Sequence, residues 1–157
     1  MCEHSQMIGR AIEISGERMR AGFGGPFGAL VVKDGAVIAE GYNQVTSGND
    51  PTAHAEVVAI RQACTTLERF DLSGCVIYTS CEPCPMCLAA IYWARLDHVY
   101  YGNTREDAAR IGFDDAALYD EIALPIEQRT IPMTRIQSAE AEAIFREWED
   151  KEDKVSY

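Results

Sequence analysis

Three of the six cysteines lie within seven residues, in the run Cys81-Glu82-Pro83-Cys84-Pro85-Met86-Cys87. Clustered thiols in a chain with no visible export signal indicate metal or redox chemistry rather than disulfides. Cys84 and Cys87 are three residues apart at the start of a predicted helix, so both sulfurs should lie on one helix face. The free N–H groups and the positive end of the helix dipole there favour the thiolate form that binds a metal. We therefore predict that Cys84 and Cys87 are metal ligands.

A histidine and a glutamate in the run Ala53-His54-Ala55-Glu56 complete the candidate site. His54 also lies near a predicted helix N-terminus, and two thiolates with one imidazole suit zinc. Three protein ligands leave a fourth position for water, which is the composition of a catalytic rather than a structural zinc site. Glu56, two residues beyond His54, is close enough to reach that water without being a ligand. A carboxylate in this place can carry the water's proton onward.

Other interpretations of these residues are weaker. An iron–sulfur spacing would need its next cysteine at position 91, which is Ile91. A metalloprotease His-Glu-x-x-His motif is absent from a chain whose histidines are His4, His54 and His98. A Cys-x-x-Cys pair alone could be a redox pair or half of a structural zinc site. We expect Cys81 to be a buried neighbour of the site, and Cys64 and Cys75 to be small core residues.

The hydrophobic pattern predicts helices and strands that alternate along one domain of residues 1–157. The sequence Asp34-Gly35 between two apolar runs predicts a hairpin with a type I′ turn. Asp50-Pro51-Thr52 predicts a helix start with proline in its first turn, after a polar loop at 43–49. A hairpin followed by helices and strands indicates a three-layer α/β domain with a mixed sheet. The predicted helices are 5–20, 53–68, 85–95, 104–109, 115–121 and 138–151, and the strands are 29–33, 36–40, 76–79, 98–101 and 130–136.

The net charge and the apolar pattern exclude several classes of protein. The 14 basic and 25 acidic residues leave a formal charge of −11, which opposes a function dominated by phosphate contacts with nucleic acid. We find no run of eighteen apolar residues, so we expect no membrane span. The first residues, Met1 to Ser5, lack the basic and apolar regions of a secretory signal. We therefore expect a cytoplasmic protein.

Several segments resemble the cytidine deaminase superfamily. The segments 24–29, 49–56 and 78–87 resemble the superfamily as a whole, including His-x-Glu and Pro-Cys-x-x-Cys, the signature of zinc nucleobase deaminases. The segments 90–95, 112–115 and 129–132 are similar to the small bacterial guanine deaminases. This resemblance implies a cytidine-deaminase-like three-layer α/β/α fold with a five-stranded mixed sheet. It also implies one zinc ion per subunit and a homodimer.

The resemblance also implies the roles of individual residues. It assigns the zinc to His54, Cys84 and Cys87, and the proton transfers to Glu56. It implies that Asn43 hydrogen-bonds the purine and that Asp115 accepts from its N–H groups. A C-terminal segment, about 138–157, is exchanged between subunits in this family, which implies that Tyr157 closes the partner's pocket. Ala55 is a further predicted substrate contact, and Phe27 and Trp93 either stack on the purine ring or pack in the core.

The implied reaction is the hydrolytic deamination of guanine to xanthine and ammonia by water activated at zinc, with a glutamate proton shuttle. Guanosine, a related nucleoside or an aminotriazine is an alternative substrate, because charge does not distinguish a base from a nucleoside. A tRNA adenosine deaminase shares the metal motif, but it needs a basic surface for its anticodon stem-loop, and the charge of −11 argues against it. A binding protein with a purely structural zinc is the non-enzymatic alternative.

Overall fold

The protein is described by a computed structural model that covers residues 3–157, and Cys2 lies outside that range. The described chain forms two compact units, one ending at Ala116 and one beginning at Ala117. The first unit contains four strands, which pair in the order β2-β1-β3-β4. β1 is antiparallel to both of its neighbours, and β3 and β4 are parallel, so the sheet is mixed as predicted. The strands are β1 (Gly28–Lys33), β2 (Ala36–Tyr42), β3 (Cys75–Cys81) and β4 (His98–Asn103).

The tight turn between β1 and β2 has the predicted conformation. Asp34 has a φ of 49° and Gly35 a φ of 77°, the two positive values that a type I′ turn requires. Lys33 pairs with Ala36 across the turn. The Asp-Gly sequence therefore determines where the hairpin closes.

Helices cover both faces of the sheet, which confirms the three-layer prediction. The first unit contains α1 (Glu3–Arg20), α2 (Val45–Gly48), α3 (Ala55–Leu67), α4 (Pro85–Trp93) and α5 (Arg105–Arg110). α6 (Ala116–Ala123) begins at the last residue of that unit, and α7 (Ala139–Asp150) belongs to the second unit. On one face, Ala11 and Ile14 of α1 pack in a cluster with Leu30 of β1. On the other face, Val31 of β1 packs in a cluster with residues of α3 and α4, among them Ala59. Successive residues of β1 thus serve opposite layers, as expected for the pleat of a central strand.

Two helices begin beside the sheet, and their first turns carry the candidate ligands. α3 packs against β2 and β1, and it contacts α4. The predicted start of α3 at Asp50-Pro51-Thr52 is wrong, because the Asp50 carboxylate accepts hydrogen bonds from the backbone N–H and the hydroxyl of Thr52 and closes a turn there. α3 begins at Ala55, with His54 as its N-cap. The predicted polar loop before it contains the one-turn helix α2.

The second unit contains most of α6, a 3₁₀ turn at Ile126–Gln128, and α7. Its internal order comes from side-chain bonds to the backbone: the Arg129 guanidinium donates to the carbonyl oxygens of Ile122 and Leu124 at 3.3 Å each. The Ser138 hydroxyl accepts from the N–H of Ala141 and caps α7, as predicted.

The prediction of a fifth strand at 130–136 is wrong, and the described residues form a four-stranded sheet. The Thr130 N–H donates to the Glu121 carboxylate at 2.9 Å and so is not available to a strand partner. Pro132 has no N–H to donate. Ile131 and Ile136 are exposed, so their apolar side chains do not mark a buried strand face. Among the described residues there is also no helix long and apolar enough to cross a membrane.

Candidate metal centre

His54, Cys84 and Cys87 meet at the N-termini of two helices. His54 is the N-cap of α3 and Cys84 the N-cap of α4, both with extended backbone dihedral angles. Pro85 occupies the first position of α4, where its missing N–H costs no helical hydrogen bond. Cys87 lies in the first turn of α4 and is fully buried. The local structure therefore places all three donors where free backbone N–H groups favour negative charge.

The three donor atoms have the spacing that zinc requires. His54 Nδ1 lies 3.5 Å from the Sγ of Cys84 and 3.5 Å from the Sγ of Cys87. Tetrahedral zinc, with Zn–S near 2.3 Å and Zn–N near 2.0 Å, separates sulfur from nitrogen by about 3.5 Å. All three atoms lie within 4.8 Å of one another, and the described residues contain no second group of this kind. The donors therefore fit zinc through Nδ1 of the histidine.

The pKa values of the Cys84 and Cys87 thiols are shifted in opposite directions. Hydrogen bonds from the Cys87 thiol and from His54 lower the pKa of the Cys84 thiol to about 4. The pKa of Cys87 is raised, because its thiol donates to Cys84 and is buried. Because zinc binds thiolates, metal binding must displace the proton of the Cys87 thiol.

Glu56 lies beside these ligands, in the first turn of α3. Its side chain is only 7% exposed, and burial raises the pKa of its carboxyl group. The carboxyl accepts a hydrogen bond from its own backbone N–H and lies against the Cys87 thiol, but it is outside the group of metal donors. The structure thus places a buried proton-carrying group next to the metal donors.

Asn43, a predicted substrate contact, follows β2 directly and is buried. Its side-chain oxygen accepts hydrogen bonds from the backbone N–H groups of Gly25 and Val45. The next residue, Gln44, donates its N–H to the carbonyl oxygen of Ala53 at 2.9 Å. This bond joins the segment that follows β2 to the residue before His54.

Phe27 and Asp115, two further predicted substrate contacts, lie in the same unit. Phe27 packs partly against the core and meets the edge of Phe113, with ring centroids 4.9 Å apart and an interplanar angle of 89°. Burial and the negative charge of Cys84 raise the pKa of the Asp115 carboxyl group. Asp115 is therefore within electrostatic range of the metal donors.

The remaining predicted contacts are placed differently. Ala55 is buried and is the first residue of α3, so its N–H has no partner within the helix. Trp93 ends α4, about 13 Å from Cys84 by helical rise. Its side chain is 66% exposed, so the core-packing interpretation of Trp93 is wrong. Tyr157 belongs to the second unit, where its side chain is exposed. The stacking role of Trp93 and the closing role of Tyr157 stay predictions.

Cys64, Cys75 and Cys81 lie where the sequence predicts them to lie. Cys75 is fully buried, and Cys64 packs partly buried against the same core cluster. Cys81 is buried, and its thiol donates to the carbonyl oxygen of Thr104 at 3.6 Å. Burial raises the pKa of the Cys81 thiol to about 11, and its sulfur is not one of the grouped metal donor atoms.

One residue of the site was missed in the sequence. The backbone N–H of Glu82 donates to the carbonyl oxygen of Asn103 at 2.8 Å, and its carboxylate accepts from the N–H of Arg105 at 3.1 Å. These bonds connect the loop that carries Cys84 to the loop between β4 and α5. In the sequence, Glu82 could have been identified as a carboxylate that lies between the end of a predicted strand and the Pro-Cys pair.

Comparisons with known proteins agree with this geometry. Residues 1–103 match the family model described as the cytidine and deoxycytidylate deaminase zinc-binding region. The chain is 53% identical over 154 residues to a guanine deaminase from Bacillus subtilis, which covers 98% of this chain and 99% of that protein. A tRNA-specific adenosine deaminase from Agrobacterium fabrum is 49% identical, but over only 49% of this chain and 51% of its own length.

Solved structures show the same relationship. An X-ray structure of guanine deaminase from Bacillus subtilis superposes with a TM-score of 0.96 at 52% identity, and the match covers 98% of both chains. A guanine deaminase from Nitrosomonas europaea gives a TM-score of 0.67 at 34% identity, over 70% of this chain and 64% of that one. The chain therefore belongs to the zinc-binding cytidine and deoxycytidylate deaminase family, in the group that contains the Bacillus subtilis guanine deaminase.

Proposed function

We propose that the protein catalyses the hydrolytic deamination of guanine to xanthine and ammonia. The observation that carries the reaction type is the buried Glu56 carboxyl beside donor atoms spaced for zinc. The choice of guanine follows from the similarity over nearly the full chain to a protein named guanine deaminase. The anionic chain also suits a free base better than a tRNA.

His54, Cys84 and Cys87 would hold zinc, which as a Lewis acid would lower the pKa of a bound water to about 7. Glu56 accepts the proton of the attacking water and delivers it to the ring nitrogen next to C2. Glu56 then takes the remaining proton from the hydroxyl group added at C2 and delivers it to the amino group. The bond between C2 and the amino nitrogen breaks, ammonia leaves, and the C2 carbonyl of xanthine forms. Its burial favours this role, because burial raises the pKa of the carboxyl group and so helps it to hold the proton between the two transfers.

The purine is held by side chains around the metal donors. In this proposal Asn43 hydrogen-bonds the ring, Asp115 accepts from ring N–H groups, and Phe27 contacts the ring face. Ala55 contributes its backbone at the start of α3. We also propose that Trp93, which is exposed at the far end of α4, stacks on the ring.

The proposed functional unit is a cytoplasmic homodimer in which residues 138–157 are exchanged and Tyr157 closes the partner's pocket. α7 supports the exchange, because Ile144 and Phe145 of this helix are exposed within one chain and Trp148 is half-exposed. An apolar helix face of this kind gains free energy when a second copy covers it. The zinc-binding thiols support the cytoplasmic location, because a reducing compartment keeps them free.

The test is ammonia release by the zinc-loaded protein from guanine, guanosine, cytosine, cytidine, ammeline and an anticodon stem-loop. We expect the highest kcat/KM for guanine and no release from the stem-loop. Protein stripped of metal by a chelator should be inactive and should regain activity with added zinc. A higher kcat/KM for another substrate would replace guanine, and no release from any of them would favour a binding protein with structural zinc.

A further inference from the structure

The side-chain oxygen of Asn43 is fully used by the protein itself. It accepts from the Gly25 N–H at 3.3 Å and from the Val45 N–H at 3.2 Å. A carboxamide oxygen has two lone pairs, and a carboxamide NH₂ group cannot accept from a backbone N–H. The two backbone donors therefore determine which way the carboxamide is turned.

The amide nitrogen of Asn43 is left for another partner. No described residue hydrogen-bonds Asn43 Nδ2. Every fully buried side-chain nitrogen or oxygen among the described residues does have a hydrogen-bond partner. Nδ2 must therefore lie on the accessible side of a residue that is otherwise 93% buried, since only 7% of it is exposed. It carries two N–H donors and no acceptor.

Gly24 leaves the space that this arrangement needs. A Cβ atom at Gly24 would lie 2.4 Å from Asn43 Oδ1 and 2.5 Å from the Asn43 carbonyl oxygen, closer than real Cβ contacts. The φ of Gly24 is not in the left-handed region, so space rather than backbone strain requires glycine here. The neighbouring bond from the Asn43 N–H to the Phe27 carbonyl oxygen, 3.1 Å long, keeps the two segments together.

We propose that Gly24 and Gly25 are positioning residues that turn the Asn43 carboxamide so that it can only donate to the substrate. The substrate atom that faces Asn43 must then be a hydrogen-bond acceptor, a carbonyl oxygen or an unprotonated ring nitrogen. This inference rests on the proposed function and adds the polarity of one contact. A heterocycle with an N–H or an amino group in that place is rejected, because it would meet a second donor.

The first test is Gly24→Ala, with Gly48→Ala as its control because a Cβ at Gly48 meets no atom within 4 Å. Zinc content is measured first, then the KM of guanine and the Ki of 2-aminopurine, which lacks O6, and of 7-deazaguanine, which lacks N7. In the wild type we expect one analogue to bind about tenfold more weakly than guanine, the loss of one hydrogen bond. In Gly24→Ala the KM for guanine should rise about tenfold. The difference in binding between guanine and that analogue should then disappear.

A Gly24→Ala protein that holds zinc, keeps its KM and discriminates the analogues as before would overturn the proposal. Wild-type protein that binds guanine and both analogues equally would overturn it as well. The control Gly48→Ala should match the wild type in every measurement.

If Gly24→Ala does not fold, Asn43→Asp tests whether the Asn43 amide donates a hydrogen bond to the substrate. One carboxylate oxygen can still accept from Gly25 and Val45, so zinc content and melting temperature should stay near those of the wild type. The other oxygen is an acceptor where an N–H is needed, so the KM for guanine should rise at least about tenfold. An unchanged KM would show that the Asn43 N–H does not bind the substrate.

A stability cycle separates this inference from the proposed function. If the wild type releases no ammonia from guanine, the proposed function has failed, but the arrangement of Gly24 and Asn43 is still measurable. Asn43→Ala should relieve part of the collision in Gly24→Ala, so the double variant should melt higher than the two single changes predict. Additive changes in melting temperature would refute the positioning role.

Discussion

The Glu56 carboxyl is the group whose chemistry distinguishes catalysis from simple metal binding. Glu56→Gln keeps the size of the side chain and its place beside Cys87, but an amide cannot carry a proton. We expect the variant to bind zinc as the wild type does and to lose at least about 10²-fold in kcat. Metal analysis and ammonia release on the same sample measure both. Turnover near the wild-type rate would remove Glu56 from the mechanism.

The three clustered cysteines give a matched comparison within one loop. Cys84→Ala removes a donor whose sulfur lies 3.5 Å from His54 Nδ1, so its zinc content after dialysis should fall close to zero. Cys81→Ala removes a buried thiol outside the donor group and should keep one zinc ion per chain. Elemental analysis of the two dialysed proteins decides between them. Zinc loss from Cys81→Ala that equals the loss from Cys84→Ala would make Cys81 a ligand.

The metal donors were predictable because few residue types bind zinc and their spacing is local. Cys84 and Cys87 share one helical turn, and His54 begins another helix, so short patterns identify them. The setting of Asn43 was not predictable, because its two hydrogen bonds depend on how separate loops meet. The burial of Trp93 was misjudged for the same reason: its apolar neighbours in sequence do not reveal that its own side chain faces solvent.

At the scale of elements, local turn chemistry correctly predicted the hairpin and the cap of α7. The fifth strand and the start of α3 were predicted wrongly, because side chains bind the backbone groups that those elements would need. The apolar residues at 130–136 have the composition of a strand, but a strand needs free N–H groups and an adjacent edge. The Thr130 N–H is bound by Glu121, and Pro132 has none. The late start of α3 has a similar cause, since the Asp50 carboxylate binds the Thr52 N–H and hydroxyl in a separate turn.

The contact between β2 and α3 depends on the absence of a side chain at Gly41. A Cβ there would lie 2.1 Å from the Ala55 carbonyl oxygen and 2.6 Å from the Ala59 backbone nitrogen. Gly41→Ala should therefore push α3 away from the sheet and cost about 1–3 kcal/mol. We expect the melting temperature of the zinc-loaded protein to fall by roughly 3–10 °C.

Gly9→Ala is the control for this change, because a Cβ at Gly9 of α1 meets no atom within 4 Å. Alanine is the better helix former by about 1 kcal/mol, so this variant should melt at or slightly above the wild-type temperature. Equal melting temperatures for Gly41→Ala and the wild type would mean that the helix and the strand are less tightly packed than the structure indicates.

At the scale of the whole molecule, the acidic charge and the exposed apolar residues both favour a specific partner surface over nonspecific association. Self-repulsion of a chain with a charge of −11 opposes nonspecific association. The exposed apolar side chains of α7 therefore need a specific partner surface, and the proposed homodimer supplies one. Light scattering should give twice the chain mass of 17.4 kDa. A monomer at assay concentration would exclude the exchange of residues 138–157 as a requirement for activity.

Mixing two inactive variants tests whether Tyr157 acts in the partner's site. Glu56→Gln lacks the proton carrier, and Tyr157→Ala lacks the residue proposed to close the pocket. If the segment is exchanged, a mixed dimer combines an intact Glu56 of one chain with an intact Tyr157 of the other. Refolding the two variants together in equal amounts should then restore about a quarter of the wild-type activity, because half of the dimers are mixed and each has one complete site. If each tail closed its own pocket, no mixed dimer would contain a complete site, and the mixture would be no more active than the two variants measured separately.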